Sequence, residues 1–542
     1  MTLWRALTSV SLTAALAACS SGDINLSPTN VGNGGGGGGG GGASNPCASY
    51  AVSGATRQGT YDGTNCTYDS AFVSESNPLT VNLRIPRISG VHIFADSLYV
   101  GANVESGPAP AAGTGPTLII DAGTTLAFNA SDNILINRGS RIMAEGTATQ
   151  PIIFTGYEDA IARTAGPYDS QLWAGIVING NALTNNCDDA QRAANACHVL
   201  GEGKPSRYGG NNPTESSGVL RYIVVKHAGF DVTGLGDELN GITFNAVGSG
   251  TIVENVEIYS GFDDGIEFFG GSVNVTNYIA LYVRDDSIDF SDGYNGTVRN
   301  ALVIHSPQNG NNCVEGDNIA VGRIPNANPG SASSSTPQTY PTISHMTCIM
   351  SNWDTGTHGA SRGVIIRFGA RAIITDSVID SGRGASENGV APPTNVCWEI
   401  DGASTPDSIN AAQAGTTTLN RTVISCQTPT TTNAQDNING GTQTAWIMNT
   451  GGLSPFNTNN SVLSVTSFED PTVTVLQPGT FFSFDDDNAN GQVTLRGAAG
   501  APIVLQVPDN YIGAVQSTAN WTSGWTYGFV VGARGIAPWW EQ

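Results

Sequence analysis

The chain has 542 residues, of which 45 are Asp or Glu and 22 are Lys or Arg, giving a formal net charge of −23 at pH 7. A surface of that sign repels nucleic acid and anionic headgroups, so nucleic acid is not expected as a partner, and it attracts divalent cations. Only 12% of residues are charged while glycine contributes 69, a composition that suits turn-rich all-β structure and argues against a helical protein.

Residues 1–18 read as a lipoprotein signal peptide. Arg5 supplies a positive n-region, Leu7 to Ala18 an apolar and small-residue h-region, and the string Leu16, Ala17, Ala18, Cys19 ends on a thiol suited to acylation after cleavage. The mature chain is expected to begin at a lipidated, palmitate-bearing Cys19; an ordinary secretory signal with an incidental cysteine is the other reading. Ser20 rather than Asp follows the cysteine, which resembles the sorting rule for outer-membrane retention in double-membrane bacteria. The expected location is the cell outer membrane through that lipid, with the protein surface-exposed or released to the medium. Residues 19–44 carry an unbroken glycine run from Gly34 to Gly42, which behaves as a flexible tether. No later stretch supplies the ~20 apolar residues of a bilayer-spanning helix.

With Cys19 set aside for lipid, the remaining cysteines fall into sequence neighbours: Cys47 with Cys66, Cys187 with Cys197, Cys313 with Cys348, and Cys397 with Cys426. Many other connectivities are open, but this is the simplest disulfide set for an oxidising compartment. No closely spaced cysteine pair of the kind structural zinc uses occurs. Residues 45–89 are expected to form an N-terminal disulfide-containing cap.

From residue 90 onward short apolar phrases recur. GVHIF begins at Gly90, TLIIDAGTTLAF at Thr117, ILINRGSRIMAEGTA at Ile134 and PIIFTG at Pro151. Between Gly218 and Ser381 the spacing settles at 22 to 24 residues: GITF, GIEF and SIDF begin at Gly241, Gly265 and Ser287, while NVEI, NYIAL and NALVI begin at Asn255, Asn277 and Asn300. A constant period with alternating apolar residues is a solenoid signature. In the first series Ile242 and Phe244, Ile266 and Phe268, and Ile288 and Phe290 point inward, leaving Thr243, Glu267 and Asp289 outward. A rung of this length is too short for a helix pair or a propeller blade of ~40 residues, whereas three short strands joined by turns fit. The expected fold is an all-β, right-handed parallel β-helix over residues 90–460, with C-terminal rungs and a cap over 461–542.

The phrases AGTTLAFN, GSRIMAEGTATQPIIFTG, WAGIVINGNA, ELNGITFNAVGSGT, DDGIEFFGGSVN and DDSIDFSDGYNG, with NWTSGWTYG near Asn520, resemble those of bacterial secreted or lipid-anchored β-helix proteins. The resemblance runs from about residue 90 to Asn520 and implies fold and export without a settled activity. More distantly the architecture is similar to pectin-lyase-like proteins, in which enzymes, adhesins and tailspikes share one solenoid, so fold alone does not choose among them.

The densest chemistry lies in Asp263, Asp264, Glu267, Asp285, Asp286, Asp289 and Asp292. Aligning rungs by Ile266 and Ile288 stacks Asp264 below Asp286 and Glu267 below Asp289, one strand spacing (~4.8 Å) apart. Extending the register puts Asn240 before this column and Asp317 after it. Ionised carboxylates so close repel unless a cation bridges them or one takes a proton. Three explanations follow. Ca²⁺ held by Asp264, Glu267, Asp286 and Asp289 is favoured, because calcium accepts six to eight oxygens in irregular geometry. A ladder of Asp and Asn side chains bonded to nearby amides is the second. Catalysis is the third, by paired acids on a glycosidic bond or by calcium and an arginine on a uronate in the manner of pectate-lyase-like enzymes. Arg284 and Arg367 are the nearest arginines; a guanidinium almost never loses its proton, so they are expected as counter-charges. No catalytic residue is assigned.

Weaker signals carry less. His358 precedes Gly359 without the downstream basic string of polygalacturonase-like enzymes. Asp486, Asn488, Asn490 and Gly491 open like a calcium loop, but Gly497 stands where an EF-hand needs glutamate. His227, His305 and His345 lie on separate rungs and read as ladder or core-edge residues. Trp521, Trp525, Trp539 and Trp540 are expected to cap the apolar end of the solenoid in preference to stacking on sugars. No GxSxG, HExxH or P-loop occurs. The functional expectation is an exported lipoprotein that binds polysaccharide and is calcium-stabilised. The alternatives are a carbohydrate-active enzyme, a lyase before a hydrolase, and an accessory subunit of an outer-membrane receptor or of another secreted enzyme.

Overall fold

In the computed structural model the described residues are 45–203, 206–234, 237–306, 309–319, 335–350, 361–381, 396–402, 406–426 and 428–463, with shorter stretches between 484 and 529. Cys19 with the signal and tether, His358, Asp486, Asn488, Asn490, Gly491, Gly497, Trp539 and Trp540 lie outside them.

Ten strands stack in parallel into one sheet: β1 (Leu98–Val100), β2 (Ile134–Ile136), β3 (Ile176–Asn179), β4 (Ile242–Asn245), β5 (Ile266–Phe269), β6 (Ile288–Ser291), β7 (Asn312–Gly316), β8 (Arg362–Ile366), β9 (Val396–Ile400) and β10 (Thr428–Thr430). The register pairs Ile242 with Ile266 and Ile266 with Ile288, and Phe244 with Phe268 and Phe268 with Phe290. All six side chains are fully buried. The phenyl rings of Phe244 and Phe268 stack at 5.3 Å, and Phe268 meets Tyr294 at 4.2 Å. Burial of each such side chain is worth about 2 to 3 kcal/mol, and repetition along the axis makes one continuous core.

The remaining faces of each rung join into a second sheet of eighteen strands. Its long members, Gly218–Lys226, Ile252–Tyr259, Asn274–Leu281, Thr297–Ile304 and Thr342–Ile349, each turn a corner at a residue of positive φ: Tyr222, Asn255, Asn277, Asn300 and His345. Asparagine tolerates this left-handed geometry better than most residues. It also ladders, since Asn277 Nδ2 donates to Asn255 Oδ1 at 3.0 Å and Asn300 Nδ2 to Asn277 Oδ1 at 2.8 Å. The asparagine that opens each phrase of the second repeat series is thus the corner residue.

Four disulfides join Cys47 to Cys66, Cys187 to Cys197, Cys313 to Cys348 and Cys397 to Cys426. The last two tie β7 and β9 of the ten-stranded sheet across the core to the second sheet, at Cys348 in the strand Thr342–Ile349 and at Cys426 just after the strand Val423–Ser425. Parallel pairing begins before residue 90: Cys66–Tyr68 pairs with His92–Phe94, and Leu83–Ile85 with the strand from Thr117. The segment expected as a cap therefore carries rung strands, preceded by an antiparallel hairpin of Ser49–Val52 and Ala55–Gln58.

Of the tryptophans expected at the end of the solenoid, Trp521 and Trp525 lie instead along its flank. Trp525 is buried with Val224, Tyr259, Ile279, Leu281, Leu302, Ile304 and Ile349, and Trp521 packs against the same cluster. These residues face outward from the second sheet, so a C-terminal strap covers a flank that is apolar on both sides. Gly513 N–H donates to the Asp376 carbonyl at 2.7 Å, Ala514 N–H to Thr347 Oγ1 at 2.8 Å and Tyr527 N–H to Glu257 Oε2 at 2.7 Å. No helix among the described residues is long and apolar enough to cross a membrane.

Candidate metal centre

The outward residues at the centre of the ten-stranded sheet form a single column: Tyr99, Leu135, Val177, Thr243, Glu267, Asp289, Glu315, Ile365 and Glu399. Its apolar start is covered by Phe230 and Leu239, which belong to the hairpin Phe230–Asp231 and Glu238–Leu239. Where that cover ends, the column becomes acidic over three consecutive rungs.

A second ladder runs beside it in the turns that precede the strands. Asp264 N–H donates to Asn240 Oδ1 at 3.1 Å, Asp286 N–H to Asp264 Oδ1 at 3.0 Å and Asn312 N–H to Asp286 Oδ1 at 2.8 Å. The order is Asn, Asp, Asp, Asn. At both ends the amide nitrogen reaches across to the acidic column: Asn240 Nδ2 donates to Glu267 Oε2 at 2.5 Å, and Asn312 Nδ2 to Glu315 Oε2 at 2.9 Å. The two inner positions carry acids in place of the amide: once ionised a carboxylate only accepts, and the Asp286 side chain bonds that of Glu315.

Carboxylate oxygens consequently gather in three overlapping groups, each with its members within 4.8 Å of one another: Asp263, Asp264 and Asp285; Asp264, Glu267 and Asp289; and Asp286, Asp289 and Glu315. The four residues expected as a single ligand set are thereby divided over two groups that share Asp289. Asp264, Glu267 and Asp286 are buried, and Asp289 Oδ1 is buried without a hydrogen-bond partner.

The expected place of Asp317 is corrected. Asp289 pairs with Glu315, and Asp317 lies two residues further along the chain, beyond Gly316. There Arg367 grips it, with Nε to Oδ1 at 2.9 Å and Nη2 to Oδ2 at 3.0 Å, and also bonds Glu315. Sequence reasoning missed Glu315 because Gly316 stands where the preceding rungs have Phe. Asn312 was missed as well, although its spacing before Val314 repeats that of Asp286 before Ile288. Asp292 also leaves the column, held by Asn186 Nδ2 at 2.6 Å and the Tyr208 hydroxyl at 3.4 Å. Arg284 lies over the Phe262 ring at 4.8 Å and donates to Ser170 Oγ at 3.4 Å, with the charges of Asp285 and Glu238 acting on it. Arg367 is ion-paired with Glu315 and Asp317.

Burial pushes the Asp264, Asp286 and Asp289 carboxyls well above the usual carboxylate range. Neighbouring negative charge adds to it, from Asp263 on Asp264 and from Glu315 on Asp286 and Asp289. Burial likewise raises Glu315 to about 7 in spite of the opposing Arg367. Such groups hold a proton or a cation near neutral pH. The histidines serve elsewhere: burial lowers His227 and His345, and lowers His305 to about 4.

The fold and the acidic row define an all-β solenoid whose sheet face carries an oxygen-rich cluster. The chain belongs to the family of pectate-lyase-like β-helix domains, whose model matches residues 109–451. That membership fits a polysaccharide-related role. No curated protein and no solved structure matches the chain.

Proposed function

We propose that this protein is an exported, lipid-anchored β-helix that binds polysaccharide on the outer face of the ten-stranded sheet and holds Ca²⁺ there. The observation that carries the reading is the Asn, Asp, Asp, Asn ladder. Asparagine at all four positions would accept every backbone N–H and still donate to the acidic column, so the two aspartates at Asp264 and Asp286 add negative charge that the ladder does not need. The buried Asp289 Oδ1 without a hydrogen-bond partner fits a cation ligand. The donors are all oxygens, which suits Ca²⁺ and disfavours the softer transition metals. Arg367 already serves Glu315 and Asp317, so the cation belongs among Asp264, Glu267 and Asp289, with Asp286 supporting through its ladder bond.

Cys19 supplies the anchor in this reading, placing the module at the outer membrane, where bound polysaccharide is presented to a receptor or to another secreted enzyme. Cleavage is the second reading, and one observation favours it: Glu315, with its acidity moved to about 7, has the tuning of a general acid. Incubation with anionic polysaccharides and calcium separates the two. Retardation in affinity gels without new reducing ends or unsaturated-uronate absorbance supports binding, and appearance of either product supports cleavage.

A further inference from the structure

Residues 157–172 leave the second sheet after Gly156 and re-enter the ten-stranded sheet beyond Trp173, passing over the corner between the two. They begin in a helical turn, Glu158–Ala162. Asp159 Oδ2 accepts from Lys226 Nζ at 2.7 Å and from Thr155 Oγ1 at 2.7 Å. The Pro167 carbonyl accepts from the Tyr259 hydroxyl at 2.6 Å, the Tyr168 ring meets Tyr282 at 5.1 Å, and the Asp169 carbonyl lies 2.6 Å from His227 Nδ1. These partners are corner or flank residues of four successive rungs.

Two further contacts give this segment a second purpose. On the flank side its partners sit under the C-terminal strap: Lys226 Nζ lies 3.9 Å from the Tyr527 ring centroid, Tyr259 meets Tyr527 at 4.7 Å, and Tyr168 packs in the cluster that holds Trp525. On the site side Ser170 Oγ accepts from Arg284 Nη1 at 3.4 Å, and Arg284 adjoins Asp285 of the acidic row in the chain and feels its charge. Among the described residues the strap meets the sheet mostly through side chains, which is the arrangement of a segment that opens locally without global unfolding.

We propose that residues 157–172 form a tongue that couples the acidic row to the strap, so that a cation in the row steadies the strap and a closed strap tightens cation binding. The proposal rests on the cation reading above. A divalent ion among Asp264, Glu267 and Asp289, whose cluster adjoins Asp263 and Asp285 through Asp264, takes over the neutralising role of Arg284. The guanidinium then turns fully to Ser170, which fixes the tongue and, through Asp159 and Tyr168, the bed on which Tyr527 and Trp525 lie. Reciprocity follows from linkage: whatever factor calcium applies to strap opening, strap opening applies to calcium affinity.

Amide hydrogen exchange of strap peptides between Tyr511 and Phe529, with and without calcium, tests this on the full chain. Calcium is expected to slow strap exchange by about 5- to 10-fold, and Tyr527→Ala to weaken calcium binding by the same factor in calorimetry. Ser170→Ala, a mild change that threatens no core contact, should keep calcium binding but lose most of the slowing. Calcium uptake with strap exchange unchanged in the wild type overturns the coupling while leaving the cation reading intact. Failure of the wild type to bind calcium overturns both.

Discussion

Asp286 donates its backbone N–H to Oδ1 of Asp264 on the rung below, at 3.0 Å. The bond accounts for one oxygen of Asp264 and explains why an acidic residue is tolerated in a turn stacked over another acid. It also separates two roles that the sequence merges. One oxygen of each ladder aspartate builds the solenoid, and charge beyond that need belongs to the site.

The core register is tested at Phe268, which is fully buried between the rings of Phe244 and Tyr294. Phe268→Ala should cost about 3 to 5 kcal/mol in denaturant unfolding. A loss under about 1 kcal/mol would place this side chain outside the core and break the register of β4, β5 and β6.

A pH dependence independent of the acidic row is expected from Glu215. Its carboxyl accepts from Gly248 N–H at 2.6 Å and from Ser217 Oγ at 3.3 Å, yet burial raises it from 4.5 to about 7. The folded state therefore keeps this proton where the unfolded chain has lost it. Its contribution is fully present below pH ~4.5 and fades as pH rises through ~7, by about 3 kcal/mol at most. Glu215→Gln, measured by thermal unfolding across that window, should flatten this part of the profile; an unchanged profile would show that Glu215 is ionised in the fold.

The I-x-F phrases made the ten-stranded sheet legible as far as β6, because each outward residue is flanked by two large inward ones. The pattern then disappears at β7 for a steric reason. A Cβ on Gly316 would lie 2.4 Å from Phe290 Cε2, so the Phe290 ring already fills the space that a third phenylalanine would take. Without that landmark Asp317 passed for the next acid in the column. The flank was legible in principle: NYIAL and NALVI are apolar at consecutive positions, the mark of a strand covered on both faces. Nothing in a tryptophan-rich C-terminus distinguishes an end cap from a strap, since either position buries large apolar rings.

Export is tested at Cys19. Cys19→Ala should remove the acyl label and block processing by the lipoprotein peptidase, leaving a longer, unlipidated chain on gels. Unchanged acylation and membrane association would contradict lipid anchoring at this residue.

Calorimetric unfolding with calcium and with chelator addresses the central claim most directly. At calcium one hundred times its dissociation constant the wild type should gain about 2.7 kcal/mol. The pair Asp264→Asn with Asp289→Asn should lose most of that gain and, in chelator, be at least as stable as the wild type, because the amide at 264 still accepts the Asp286 N–H while the repulsion is relieved. A wild-type melting temperature unmoved by millimolar calcium would contradict the account and leave the acidic row as a structural ladder.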